Sequence, residues 1–149
     1  MPDSEAEQLE PLMARVMRLV AVHLSEPVSD IAGTVLSGTE GSMLIELRAA
    51  GEVTQQQMAD RLSIDKSRVS RLCAALERKD LLTRERDASD RRNLRLCLTD
   101  SGEKAATRLS QAWRDYHDRM LAAMTPAERR ALLVGLTAFD RELSAAHAG

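Results

Sequence analysis

Apolar residues recur at helical spacing through Leu9, Leu12, Met13, Val16, Leu19, Val20 and Leu24, and Pro27 bounds the pattern. This spacing predicts a first helix over residues 6–24 with a wide apolar stripe. Residues 26–42 carry Pro27, Gly33, Gly38 and Gly41 among short apolar groups and read as a loosely helical connector. Helix resumes through Met43, Leu44 and Leu47 and stops at Gly51. Thr54 and Gln57 have the spacing of a capping box, in which each side chain satisfies the other's backbone N–H, and a short helix follows to Leu62. Beyond Ser63-Ile64-Asp65, the apolar series Val69, Leu72, Cys73 and Leu76 predicts a second helix ending near Lys79-Asp80. Two short helices across a tight break form a helix-turn-helix pattern.

The period then changes. Leu82 to Arg86 and the alternating Leu94, Leu96 and Leu98 read as two strands, joined by the polar, turn-forming residues 87–93 into a hairpin with a basic tip. Thr99-Asp100-Ser101-Gly102 leads into a long helix bearing Leu109, Trp113, Tyr116, Met120 and Leu121. A last helix starts at Thr125-Pro126-Ala127-Glu128, with a capping Thr, Pro at the first helical position and Glu at the third, and carries Leu132, Leu133, Leu136, Phe139 and Leu143. The fold class expected is mainly α with a small β-hairpin wing.

At 149 residues, 44% hydrophobic and 30% charged, the chain is in the range of one globular domain, residues 1–149, able to bury a core without cross-links. Cys73 and Cys97 are too few for a disulfide scaffold and fit no zinc or haem spacing, which points to a reducing cytoplasm. The acidic N-terminus is unlike an export signal, and no run approaches the ~20 apolar residues of a membrane span, so no membrane partner is expected. The net charge of −2 conceals a division. From Arg61 to Arg95 eleven Lys or Arg stand against six acids, a window of +5 in a chain whose remainder is −7. A concentrated basic segment in an acidic protein suggests a local surface for a polyanion, although a solvated charged stretch has the same composition.

A recognition helix needs one face anchored in a core and the other presenting hydrogen-bonding groups to the major groove. Val69, Leu72, Cys73 and Leu76 supply the anchor, and Lys66, Ser67, Arg68, Ser70 and Arg71 supply the other face. A solvated amphipathic helix has the same division, so this segment alone does not decide. The adjacent hairpin adds an independent element: Arg91 and Arg92 at its tip suit a narrow minor groove, and Asp90 is placed to orient one of their guanidinium groups. Together the two elements favour double-stranded DNA over a surface turn with internally compensated charge.

The runs Val53-Thr54-Gln55-Gln56-Gln57-Met58-Ala59-Asp60-Arg61-Leu62, Ile64-Asp65-Lys66-Ser67-Arg68-Val69-Ser70-Arg71-Leu72 and Leu76-Glu77-Arg78-Lys79-Asp80-Leu81-Leu82, with Asp90-Arg91-Arg92 and Leu98-Thr99-Asp100-Ser101-Gly102, resemble the multiple antibiotic resistance regulator (MarR) family. The resemblance covers residues 44–102. It implies a homodimer built from the N- and C-terminal helices, residues 6–42 and 101–149, carrying winged helix-turn-helix lobes over residues 43–100. It further implies a transcriptional repressor on a pseudo-palindromic operator, released by a small, often aromatic or phenolic effector. By the same carry-over Ser67, Arg68, Ser70 and Arg71 match the major-groove face, and Asp90, Arg91 and Arg92 the wing tip. Where many relatives have Gln followed by a large aromatic, this chain has Glu40-Gly41, which leaves either open space at the expected pocket or a local repacking. Oxidant-sensing members carry a cysteine in the first helix, and none occurs here.

Candidate effector-pocket residues are His23, Gly41 and Trp113, against the plainer readings of a helix-terminal histidine and an interface tryptophan. Cys73 sits on an apolar face as packing, whereas Cys97 shares a face with Arg95 and is the more exposed thiol. The scattered His23, His117 and His147 give no metal site, no cofactor is expected, and no nucleophile elbow, phosphate loop or HExxH run suggests an enzyme. Two alternatives stay open: a winged-helix protein-interaction module without an operator, and a thiol-based redox-responsive regulator.

Overall fold

In the computed structural model, residues 4–25, 28–31 and 34–148 are described, with side chains from 4–23 and 34–148. The elements in chain order are α1 (Glu5–Ser25), β1 (Val28–Ile31), β2 (Thr34–Leu36), α2 (Gly38–Ala50), β3 (Val53–Thr54), α3 (Gln55–Leu62), α4 (Lys66–Arg78), β4 (Leu82–Arg86), β5 (Leu94–Leu98), α5 (Asp100–Ala122) and α6 (Pro126–His147). The chain divides into two compact units, Met1–Ser110 and Gln111–Gly149, and α5 continues across the division.

The connector expected over residues 26–42 is not loosely helical. β1 and β2 pair antiparallel, and α2 begins at Gly38, five residues before Met43. Ser37 explains the early start: its hydroxyl accepts the Glu40 N–H while the Glu40 carboxylate accepts the Ser37 N–H, a capping box that overrides the weak helix propensity of Gly38 and Gly41. Pro27 and Gly33 lie outside the described residues. α2 ends where expected, because Gly51 turns the chain at φ +74°.

The core of the first unit is formed by Leu36, Met43, Leu44 and Leu47 of β2 and α2, Met58 of α3, Val69, Cys73 and Leu76 of α4, Leu82 and Leu96 of the wing, and Ala105, Ala106 and Leu109 of α5, all buried. The expected two-stranded hairpin is the larger part of a three-stranded antiparallel sheet in the order β3-β5-β4. Register pairs Leu82 with Leu98, Arg84 with Leu96 and Arg86 with Leu94, so Arg84 shares the face of buried leucines.

The α4–β4 turn is fixed by several bonds. Asp80 adopts φ 57°, Leu81 N–H returns to the Leu76 carbonyl at 3.0 Å, and Thr99 donates its hydroxyl to the Asp80 carbonyl at 2.7 Å and its N–H to the Leu81 carbonyl at 3.1 Å. Gly102 packs so closely here that a Cβ would lie 2.0 Å from the Leu81 carbonyl oxygen.

Exposed apolar residues mark α1 (Leu9, Leu12, Val16, Met17, Leu19, Val20) in the first unit and α6 (Leu132, Leu133, Leu136, Phe139, Leu143) in the second. The α6 start is the expected one: Thr125 caps Glu128 reciprocally, with Pro126 in the first turn.

Candidate nucleic-acid interface

Helix α4 is oriented by its anchor and its cap. Val69, Cys73 and Leu76 are fully buried one helical turn apart, so the opposite face is held outward. Asp65 caps the start: its Oδ1 accepts the Ser67 hydroxyl at 2.6 Å and the Arg68 N–H at 2.8 Å. These two bonds, the hydroxyl's foremost, keep the Asp65 carboxyl below its usual range. Lys66, Ser67, Arg68 and Arg71 are exposed as expected. Ser70 is half-buried, because Arg84 reaches across from β4 and donates from Nη1 to the Ser70 hydroxyl at 3.3 Å and to Gln55 Oε1 at 3.4 Å. Arg84 is anchored behind by Glu77, whose Oε1 lies 2.6 Å from Nε as an ion pair without hydrogen-bond alignment.

The wing tip is ordered by short-range bonds. Asp87 N–H donates to the Asn93 carbonyl at 2.9 Å, and the Asp87 carboxylate accepts from Ser89 N–H and hydroxyl. Asp90 does not orient a guanidinium group as expected from sequence. Its Oδ1 accepts the backbone N–H of Arg92 at 3.0 Å, since an Asx turn two residues on satisfies a local backbone donor without ordering a long side chain. Arg86 donates to the Arg91 carbonyl at 2.8 Å, which leaves both Arg91 and Arg92 side chains exposed.

One cleft joins these elements, lined by Gln55 and Gln56 from the first turn of α3, Lys66 from the first turn of α4, and Arg92, Asn93 and Leu94 from the wing. The pairing of charge then sorts the basic segment. Arg61 pairs with Glu46, Lys79 with Glu40, Arg84 with Glu77, and Arg95 with Glu52 and Glu85. Lys66, Arg68, Arg71, Arg78, Arg86, Arg91 and Arg92 form no ion pair among the described residues, so the positive charge that remains lies on α4 and the wing.

The sequence model of the MarR family matches residues 36–93, the stretch from the end of β2 to the wing tip. Over this stretch the chain is similar to the MarR family. A curated relative, the uncharacterized HTH-type transcriptional regulator YpoP of Bacillus subtilis, is 25% identical over 130 residues, covering 87% of this chain and 92% of its own. The fold is that of the MepR–DNA complex of S. aureus, with TM-score 0.75 at 24% identity over 88% of this chain and 97% of that one. It is also that of BpsR of Bordetella bronchiseptica, whose DNA binding is regulated by 6-hydroxynicotinic acid, with TM-score 0.72 at 24% identity over 90% of this chain and 99% of that one. The chain thus has the winged helix-turn-helix fold of these DNA-binding regulators.

The candidate effector residues are distributed over both units. In the first, His23 is half-buried, and Gly41 is buried with Leu109 filling the space beside it: a Cβ would meet the Leu109 side chain at 3.5 Å. The missing aromatic is therefore answered by local repacking. In the second unit Trp113 stacks on His117 at 5.4 Å and meets Tyr116 edge-on at 6.1 Å. Cys73 is buried, and that burial pushes its thiol up to about 11. Cys97 is half-buried, the more exposed of the two thiols as expected, and lines a small cavity with Leu47, Arg48 and Gly51. Among the described residues no acid, cysteine and histidine cluster suits a metal, and no helix is long and apolar enough to cross a membrane.

Sequence reasoning missed Gln55, Gln56 and Arg84. The first two were legible as a glutamine run at the start of the helix-turn-helix, of which only Gln57 is needed for the cap. Arg84 was legible as a cation on the apolar face of a strand, a position that requires a polar partner in the core wall.

Proposed function

We propose that this regulator is a repressor that binds a pseudo-palindromic duplex as a homodimer and is released by a small aromatic effector in the cytoplasm. The observation carrying the reading is the set of cations without an ion pair, Lys66, Arg68, Arg71, Arg78, Arg86, Arg91 and Arg92, on α4 and the wing, with Lys66 and Arg92 lining one cleft. In it α4 enters a major groove with Lys66, Ser67, Arg68, Ser70 and Arg71 toward the bases and backbone, and Arg91 and Arg92 reach the adjacent minor groove. Two such lobes reading half-sites about 34 Å apart would match a two-fold operator. The exposed apolar stripes of α1 and α6 support dimerisation through residues 6–42 and 101–149, since isolated helices rarely expose that much apolar surface to water. Effector release is supported by the regulation of BpsR by 6-hydroxynicotinic acid, with His23, Gly41 and Trp113 as the candidate contacts.

The test is fluorescence anisotropy of the full chain against duplex from upstream of its own gene and a shuffled duplex of equal composition. Preference for the native duplex, with binding to both duplexes weakened on Arg92→Ala, is the expected result. Binding to neither duplex would favour a winged-helix module that docks on protein. A preference that responds to reductant and oxidant would instead favour a thiol-based switch.

A further inference from the structure

A serine hydroxyl can donate one hydrogen bond and accept two, so by itself it reads bases ambiguously. Two serines of α4 are not free to choose. Ser67 Oγ donates to Asp65 Oδ1 at 2.6 Å, and Asp65 is ionised and fixed by the Arg68 N–H, so the only proton of Ser67 is committed within the protein. Ser70 is in the opposite condition. Its Oγ accepts from Arg84 Nη1 at 3.3 Å, Arg84 is held by Glu77, and the Ser70 proton has no acceptor among the described hydrogen bonds. It does not turn back to a helix carbonyl, as Thr107 does to Glu103 at 2.9 Å and Thr137 to Leu133 at 2.7 Å.

We propose that Asp65 and Arg84 are positioning residues that fix the hydrogen-bonding sense of the recognition helix, making Ser67 an acceptor and Ser70 a donor toward the major groove. This rests on the operator-binding reading above. Ser67 then selects a base with an exocyclic amino group, adenine N6 or cytosine N4, and Ser70 selects an acceptor, the N7 of either purine, guanine O6 or thymine O4. Ser67 and Ser70 lie three residues apart on one helix face, so the two preferences fall on neighbouring base pairs of each half-site. Arg84 acts through Ser70 and needs no contact with DNA.

The experiment selects duplexes from a randomised pool with the full-length protein, then measures anisotropy on single-atom variants of the preferred duplex. Purine or 2-pyrimidinone replaces adenine or cytosine to delete the amino group, and 7-deazaguanine deletes the guanine N7 acceptor. At one position per half-site, deleting the amino group should weaken wild type by about fivefold, the value of one hydrogen bond, and leave Ser67→Ala unaffected. Ser67→Thr, which keeps the hydroxyl, should retain the sensitivity. Deleting an acceptor at the neighbouring position should weaken wild type and leave Ser70→Ala unaffected, and Arg84→Lys should relax the Ser70 preference while circular dichroism reports an unchanged fold. If Ser67→Ala loses sensitivity to acceptor deletion instead, or both serine variants weaken all duplexes alike, the assignment of sense is wrong. If the wild type enriches no duplex, it is the operator-binding reading that fails.

Discussion

Substituting Gly102 with Ala opposes two effects whose signs can be separated. Gly102 lies in the first turn of α5, where alanine has the higher helix propensity and would stabilise the chain by up to ~1 kcal/mol if nothing else intervened. The added Cβ, however, meets the Leu81 carbonyl oxygen at 2.0 Å, and the Leu98 side chain is 3.3 Å away. Relief needs a displacement of about 1 Å or more in backbone. That backbone is bound on several sides, by Thr99 N–H to Leu81 O at 3.1 Å, Thr99 Oγ1 to Asp80 O at 2.7 Å and Leu81 N–H to Leu76 O at 3.0 Å. Overpacking in a close-packed site costs about 1–3 kcal/mol and a strained or lost hydrogen bond about 1 kcal/mol, so after the propensity gain of ~1 kcal/mol is subtracted the net destabilisation is about 1–3 kcal/mol. For a chain of this size that corresponds to a fall in Tm of about 3–9 °C. Thermal unfolding followed by circular dichroism, at one protein concentration for both variants, measures it. A Gly102→Ala protein as stable as wild type would show that the joint between α4, β4 and α5 yields, and that its bonds do not define the wing's position.

Glu40→Gln should destabilise by about 1–2 kcal/mol, because it removes the charge facing Lys79 Nζ at 2.7 Å in a half-buried site; urea unfolding reads this. Burial opposes ionisation of Glu40, but the bonds from Lys79 and Ser37 hold its carboxyl below the ordinary value of 4.5. A depressed carboxylate contributes stability that is present above pH 4.5 and lost as pH falls through the folded value, so the acid limb of the wild-type stability curve should flatten in Glu40→Gln. Arg92→Ala should weaken every duplex alike and reduce the log–log salt slope by about 2 for two lobes, and an unchanged slope would remove Arg92 from the phosphate contacts. Leu136→Glu, on the exposed stripe of α6, should lower the sedimentation coefficient to that of a monomer; a wild-type profile would exclude α6 from the interface. At pH 8 iodoacetamide should modify Cys97 and spare Cys73, whose buried thiol titrates at about 11, as peptide mass spectrometry will show.

The periodicities of α3, α4 and the wing were legible because each has a local cause: Thr54 and Gln57 cap α3, and Val69, Cys73 and Leu76 repeat at the helical period. The exposed cations of α4 and the wing were legible for the same reason, since outward positions follow once the anchor is assigned. The β1–β2 hairpin was not, because glycines and a proline mark turns without saying what they join, and the Ser37 cap was read as part of a connector. Nor were the roles of Asp90, Ser70 and Arg84. Asp90 had a backbone donor within two residues that outcompeted a mobile guanidinium, and Arg84 reaches Ser70 across 14 residues, a pairing set by strand register and invisible to local spacing.

The ion pairs that neutralise the framework cations also set how discriminating this protein can be. Arg61 is held by Glu46 at 2.7 Å, and loss of that acid would release a cation beside α3 with no operator position to read. Each released charge would add a phosphate contact of equal worth on every duplex, raising genomic background without raising operator affinity selectively. On the proposed operator-binding reading, the acids at 46, 52, 77 and 85 would act as brakes on indiscriminate binding. A lineage that lost them would retain its fold while, on that reading, its occupancy drained from any operator into the rest of the chromosome.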